Sequence, residues 1–372
     1  MIISASYKTD IPAFYGEWFM RRLQAGNCQM VNPYGRQVYT VNLRREPDDA
    51  RREGVDGFVF WTKNIGPFLR HLPEIRALGY PFVVQHTING YPRELEARVI
   101  NHDRAVANMH KLAKEFGPKV AVWRYDPILI TSLTPPQWHR DTFRRLASGL
   151  KGATDEVVIS FAQIYKKAKR NLDVAAKRSA FTWQEHESFA GDDSDDERLE
   201  EARHLVRDLA EIARENGMTL SVCSQERFHV EGVGPAHCIE AARLREVANE
   251  FGVASERINA KIKGNRPQCE CSASRDIGDY DTCPHGCVYC YAVMNRAVAL
   301  DRYRRHNPAS AFLFEPEAHT IQVTRPSTKQ KTPKTSARKQ KQVVASTLSR
   351  EEDAVMAPTL WDVASRSEDT SS

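Results

Sequence analysis

No stretch of the 372 residues approaches the roughly 20 consecutive apolar residues of a membrane-spanning helix, so a membrane partner of that kind is not expected. The opening MIISASYKTD has neither the charged start nor the small-residue cleavage site of a secretion signal, and a cytoplasmic protein is expected. After the first candidate strand, SASYKTD lacks the G-x-G-x-x-G that a dinucleotide-binding sheet places there. Charge of one sign is scarce as well. The net charge is +5, and residues 321–372 hold nine basic and six acidic residues, which leaves the rest nearly neutral. Global charge therefore gives no argument for a nucleic-acid partner. Internal repeats are not visible.

Cysteine is sparse but concentrated. Five of the eight lie between Cys269 and Tyr291, in CECSASRDIGDYDTCPHGCVYCY. Clustered beside histidine and glycine, they read as metal ligands in a reducing compartment better than as a disulfide framework. Cys283, Cys287 and Cys290 are spaced C-x3-C-x2-C, with no histidine in frame to complete a tetrahedral zinc site. Three closely spaced thiolates suit a 4Fe-4S cluster with one iron left open for chemistry.

That spacing, with Tyr289 immediately before the third cysteine, resembles the cluster motif of radical S-adenosylmethionine enzymes. IGDYDTCPHGCVYCYA, together with SASYKTDIPAFYGEWF, FVFWTKN and VWRYDPI, also resembles the family numbered 1848 among the domains of unknown function, over about residues 1 to 312. The first resemblance implies S-adenosylmethionine as a cofactor on the open iron and an electron donor such as flavodoxin or ferredoxin. The second supplies no substrate. Two departures accompany them. The cysteine motif follows the last candidate strand instead of the first, and FVFWTKN lacks the glycine-glycine-glutamate type segment that holds the cofactor's amino group. Lys63, Asn64, Arg124 and Asp126 replace that segment, or the cofactor does not bind.

Short apolar runs alternate with helical stretches. Candidate strands cover Ile2 to Ser6, Gly57 to Thr62, Pro81 to Thr87, Val120 to Arg124, Glu156 to Ala162 and Thr219 to Cys223; helices are expected near 12–25, 66–78, 92–116, 135–149 and 196–216. The last of these opens on the acidic GDDSDDE, which suits a helix N-terminus. Such alternation implies about six parallel strands with right-handed crossovers, hence an α/β fold. A partial, TIM-barrel-like (β/α) barrel over residues 1–320 is expected, with an open doubly wound sheet as the alternative. In a nearly closed barrel the chain after the last strand returns beside the first, so a late cysteine loop can reach the same end.

Parallel α/β folds collect functional groups at the carboxyl edge of the strands. The edge here is polar: Asp10 after strand one, Thr62, Lys63 and Asn64 after strand two, His86 at strand three, Arg124 and Asp126 at strand four, Ser160 at strand five. Charges removed from water need partners. Asp10, Thr62, Lys63, Asn64, Arg124, Asp126, Ser160 and Tyr289 are thus candidate cofactor contacts, and Lys63, Arg124, Asp126 and His86 candidate catalytic groups. The competing reading is a structural ion-pair network, and for His86 a satisfied core histidine. Cys28 is expected to be structural.

Setting aside Cys28 and the triad leaves Cys223, Cys238, Cys269 and Cys271. Four thiolates make a closed site, a second 4Fe-4S cluster or a structural zinc, unless they are packing residues. From 321 to 372 the chain reads as a disordered tail, and residues 325–350 carry eight basic residues and no acidic one. Such a tail can hold nucleic acid without reading its sequence, although no aromatic residue interleaves the charges. Two functions of different class remain. One is a radical S-adenosylmethionine-type enzyme acting on a small molecule, a modified nucleoside or a nucleic-acid lesion. The other is a binding protein in which iron-sulfur or zinc staples the C-terminal segment to the barrel.

Overall fold

The computed structural model describes residues 1–32, 35–46, 53–183, 196–264 and 268–316. The strands are β1 (Ile2–Ala5), β2 (Asn27–Val31), β3 (Val38–Asn42), β4 (Gly57–Thr62), β5 (Phe82–Thr87), β6 (Ala121–Ile128), β7 (Glu156–Phe161), β8 (Thr219–Val222) and β9 (Ser274–Asp276). The helices are α1 (Ile11–Phe14), α2 (Gly16–Ala25), α3 (Leu72–Ala77), α4 (His102–Phe116), α5 (Pro136–Leu150), α6 (Lys166–Ser179), α7 (Asp196–Glu215), α8 (Ala241–Glu250) and α9 (Arg296–Arg305).

Seven strands form one parallel sheet in the order β8-β7-β6-β5-β4-β1-β9. Its inner strands are near-continuous apolar runs, with β1, β4, β5 and β7 buried along almost their whole length, as strands covered on both faces must be. From β1 to β8 the order advances one neighbour at a time. It never reverses, so the switch point of a doubly wound sheet is missing. The sheet is not closed as a barrel, because β8 and β9 do not pair. Residues 234–239 lie between these edges: Val222 donates its N–H to Gly234 O at 3.0 Å, and Ser272 donates to Ile239 O at 2.8 Å.

Helix positions follow from capping and periodicity. In α4 the Asn101 side chain accepts the Asp103 N–H, and Ala105, Met109, Leu112 and Phe116 bury one face. Pro136 opens α5 at its first turn, where a missing N–H costs nothing. Beneath α2 the rings of Phe19, Phe58, Phe60 and Phe68 meet edge-on at 4.9 to 5.7 Å, an arrangement that aromatic quadrupoles favour.

The six expected strands are all present. Other expectations need correction or completion: the helix expected over 12–25 is broken at Tyr15 into α1 and α2, and α6, α8 and α9 were not foreseen. The helix foreseen over 92–116 begins at His102; residues 95–98 instead pair with the cysteine loop, with Val288 N–H donating to Leu95 O and Arg98 N–H to His285 O, both at 3.0 Å. Tertiary pairing has overridden helix propensity there. The short strand β9 and the antiparallel β2–β3 hairpin were not foreseen. Beyond α9, Phe312 bridges Gln29 of β2, and Trp18 Nε1 donates to Ser310 O at 3.1 Å, so this segment lies on the hairpin edge. The expected tail, its basic run and most of GDDSDDE fall outside the described residues.

Candidate functional site

The site is built where the two ends of the chain meet. Asp276 ends β9 and is buried against β1, accepting from Ser4 Oγ and Ser6 Oγ at 2.9 Å and from the Tyr7 N–H at 3.1 Å. This ties the start of the cysteine loop to the carboxyl end of β1. Thr9 Oγ1 then donates to Asp279 O at 2.6 Å, Tyr15 donates to Thr282 O at 2.6 Å, and Tyr291 donates to Tyr7 O at 2.5 Å. The late cysteine motif therefore stands at the end of the sheet that the polar strand ends occupy.

A cavity of about 300 Å³ opens there. Cys223, Cys238, Cys269, Cys271, Cys283, Cys287 and Cys290 all line it, with Asp10, Thr62, Lys63, Arg124, Asp126, Ser160 and Tyr289. Of the expected site residues only His86 and Asn64 are absent from its walls. His86 is fully buried and accepts the Ile65 N–H at 3.4 Å, and desolvation pulls its pKa from 6.5 down to about 4. Asn64 caps the turn into Gly66, accepting that N–H at 3.1 Å. Cys28 is buried in the core.

Two ion pairs face the thiols. Lys63 Nζ lies 2.7 Å from Glu96 Oε1, and the Tyr289 hydroxyl donates to that same oxygen. Glu96 is held there by the bridge between its own backbone and Cys287. On the other side, Arg124 forks onto both oxygens of Asp126, with Nε at 3.1 Å. Its Nη1 also donates to Gln85 Oε1 at 3.2 Å and to Cys238 Sγ at 2.9 Å, and the guanidinium lies 5.1 Å over the Trp61 ring. Ser160 is 3.5 Å from Asp126, at the limit of a hydrogen bond. Asp10 acts as an organiser: Oδ1 caps α1 at Ala13, while Oδ2 accepts the Lys63 N–H at 2.7 Å and meets His285 Nε2 at 2.6 Å.

The thiols form two sets. Cys238 Sγ approaches Cys223 Sγ at 3.4 Å and also contacts Cys271, which in turn contacts Cys269. The Cys223 contact lowers the pKa of Cys238, but the Cys271 contact and burial offset it and leave the thiol at about 11. In the second set, burial and then Asp10 and Cys290 push Cys283 up to about 12. Burial likewise raises Cys287, against the pull of Lys63, and Cys290. In kind, these soft sulfur donors suit iron or zinc. In disposition, no group of three or more His, Cys, Asp and Glu side chains among the described residues is arranged to hold a metal ion.

Glu96, His285 and Asp276 were missed in the sequence. Glu96 was hidden inside the stretch read as helix, and Asn101-His102-Asp103 was the capping signal that could have excluded it. His285 sits within the cysteine motif, but its partner Asp10 is 275 residues away and leaves no local signal.

Over residues 2–292 the chain matches the family described as a domain of unknown function, DUF1848. The chain belongs to that family. No curated protein matches it. The matched span runs from β1 through the cysteine triad, the two segments that Asp276, Thr9 and Asp10 join. Among the described residues, no helix is long and apolar enough to cross a membrane.

Proposed function

We propose that this chain is an iron-sulfur protein of radical S-adenosylmethionine type, with barrel-like architecture, acting on a small molecule or nucleoside. The single observation that carries the reading is the convergence of seven cysteines on one cavity whose remaining wall is charged and polar. Packing alone would not gather seven thiols around a solvent-sized space, since buried cysteine ordinarily behaves as a small hydrophobe. Cys283, Cys287 and Cys290 would hold a 4Fe-4S cluster, and three ligands leave one iron for a cofactor. Cys223, Cys238, Cys269 and Cys271 would hold a second metal, a cluster or a zinc ion, with Arg124 donating to one of its sulfurs.

When bound, such a cluster supplies one-electron reduction of the sulfonium of S-adenosylmethionine. The chain's part is binding, orientation and exclusion of water. Lys63 and Arg124 are the cations that would meet the cofactor carboxylate, and Asp126, about one seventh exposed and facing the cavity, the acceptor for its ammonium or ribose. Glu96 fixes Lys63 beside Cys287. Desolvated charges in these pairs keep the wall polar without leaving an unpaired ion. An acidic electron carrier such as flavodoxin or ferredoxin would supply the electron, in a reducing, cytoplasmic setting.

The second reading, a metal-stapled binding protein, is favoured by one observation: the segment after β4 has no glycine-rich cofactor loop, and Asn64 there serves the backbone. The test is iron and acid-labile sulfide in anaerobically reconstituted protein. The enzyme reading expects at least about four irons per chain, lost when Cys283, Cys287 or Cys290 is replaced by alanine. Full metal content in all three variants would remove the triad from the account.

A further inference from the structure

A second cavity, of about 270 Å³, adjoins the first, and Lys63 and Thr87 line both. Apart from Lys63, its walls come from residues 87–105: the end of β5, the loop after it and the first turn of α4. Ile88, Tyr91, Val99, Ile100 and Ala105 supply apolar sides. Asn89 and Glu96 are its buried polar lining, at 2% and 3% exposure, and Arg93 is its exposed cation. Glu96 lines this cavity and not the one around the thiols.

The Tyr289 hydroxyl joins the two buried side chains, donating to Glu96 Oε1 and accepting from Asn89 Nδ2 at 3.3 Å. Lys63 Nζ takes the same Glu96 oxygen at 2.7 Å. A second bond, to Asp126 O at 3.1 Å, fixes Nδ2 as the donor end of Asn89. What remains on each side chain is therefore an acceptor. Glu96 Oε2 takes no hydrogen bond among the described residues, and Asn89 Oδ1 is buried without a partner. Buried acceptors left without donors are uncommon and costly.

Charge decides what kind of donor fits. Lys63 already offsets Glu96, and Arg93, whose Nη1 donates to Val99 O at 2.5 Å, has no carboxylate partner among the described residues. An ammonium would bring one more cation beside these two. A neutral amino group on a planar carbon offers two N–H donors and no charge, and an anion elsewhere on the same molecule would meet Arg93.

We propose that this second cavity binds a small ligand through a neutral, planar amino group, that of a primary carboxamide or of a nucleobase, with an anionic group at the Arg93 end. Each cavity is near the lower limit, roughly 300 Å³, of pockets that enclose one small molecule, so the two hold one ligand each, side by side across Lys63. That this ligand is the substrate rests on the enzyme reading above; its binding does not.

The experiment is titration calorimetry of the full chain, without added iron, against two matched pairs: cytidine and uridine 5′-monophosphates, and succinamate and succinate. In one pair the amino member should bind about 10- to 100-fold more tightly than its partner, which turns an oxygen toward Glu96 and Asn89. The pair that shows this tells nucleobase from carboxamide. Equal affinity within both pairs, or no binding of any of the four, overturns the proposal. Glu96→Gln keeps an oxygen for Lys63 and Tyr289 and puts an NH2 where Oε2 stood, so the preference should vanish or reverse; an unchanged preference overturns the assignment. Arg93→Ala should weaken both members of the pair alike, and Ile100→Trp, which fills the cavity from its half-buried wall, should abolish binding of both. Full affinity in these two variants would place the ligand elsewhere and contradict the site. Binding should persist in Cys283→Ala, so that failure of the cluster and failure of this site are read separately.

Discussion

His285 Nε2 lies 2.6 Å from Asp10 Oδ2, across 275 residues of sequence, and this contact fastens the cysteine loop to the end of β1. The same oxygen takes the Lys63 N–H, so one carboxylate positions the first strand, the Lys63 turn and the thiol triad. Asp10→Ala should therefore cost about 3 to 5 kcal/mol in urea unfolding, as removal of one partner of a buried charged network does. It should also lower iron uptake. A loss under about 1 kcal/mol, typical of surface pairs, would mean the contact is incidental.

Lys63 and Arg124 should separate in their effects. Lys63→Ala is expected to leave metal content intact and weaken S-adenosylmethionine binding about 10- to 100-fold, measured by calorimetry on the reconstituted protein. Arg124→Ala strips Asp126, Gln85 and Cys238 of their donor at once. It should destabilise the fold by about 3 to 5 kcal/mol before any binding defect is read. Equal effects confined to binding would show that Arg124 is not needed to hold Asp126, Gln85 and Cys238 in place.

The four thiols near β8 should carry their own metal. Cys269→Ala and Cys271→Ala should each lower metal content and thermal stability while the triad's iron remains, because each leaves three of the four sulfurs to hold the second ion. If a variant lacking all four cysteines keeps its metal and its melting temperature, they are packing residues.

Acid should destabilise the protein through buried histidines. His86 and His139 are both pulled from 6.5 to about 4 by desolvation, so between those values the unfolded chain binds protons that the folded chain refuses. Stability then rises with pH across that window and falls toward pH 4. Each histidine contributes a slope of at most about 1.4 kcal/mol per pH unit. His86→Gln should flatten the difference between urea midpoints at about pH 5 and 7. An unchanged difference would show that His86 is not among the responsible groups.

The strands were legible because each is an apolar run long enough to be buried on both faces, and the polar edge was legible because Lys63, Arg124 and Asp126 break those runs at one end. Their pairing was not legible. Glu96 comes from a segment whose local sequence suits a helix and whose structure is set by backbone bonds to residues 285–288. For the same reason β9 escaped notice: three residues, Ser274–Asp276, owe their extension to β1 and to the hydroxyls of Ser4 and Ser6. Convergence of Cys223 and Cys238 on the Cys269 and Cys271 pair was an expectation from counting alone, and depends in space on residues 234–239 filling the interval between β8 and β9.

The most direct measurement is product analysis of the anaerobically reconstituted full chain incubated with S-adenosylmethionine and dithionite. Formation of methionine and 5′-deoxyadenosine, dependent on Cys283, Cys287 and Cys290 and diminished by Lys63→Ala, is the result expected. A fully iron-loaded, reduced protein that yields no 5′-deoxyadenosine would contradict the enzyme reading and leave a metal-stapled binding protein.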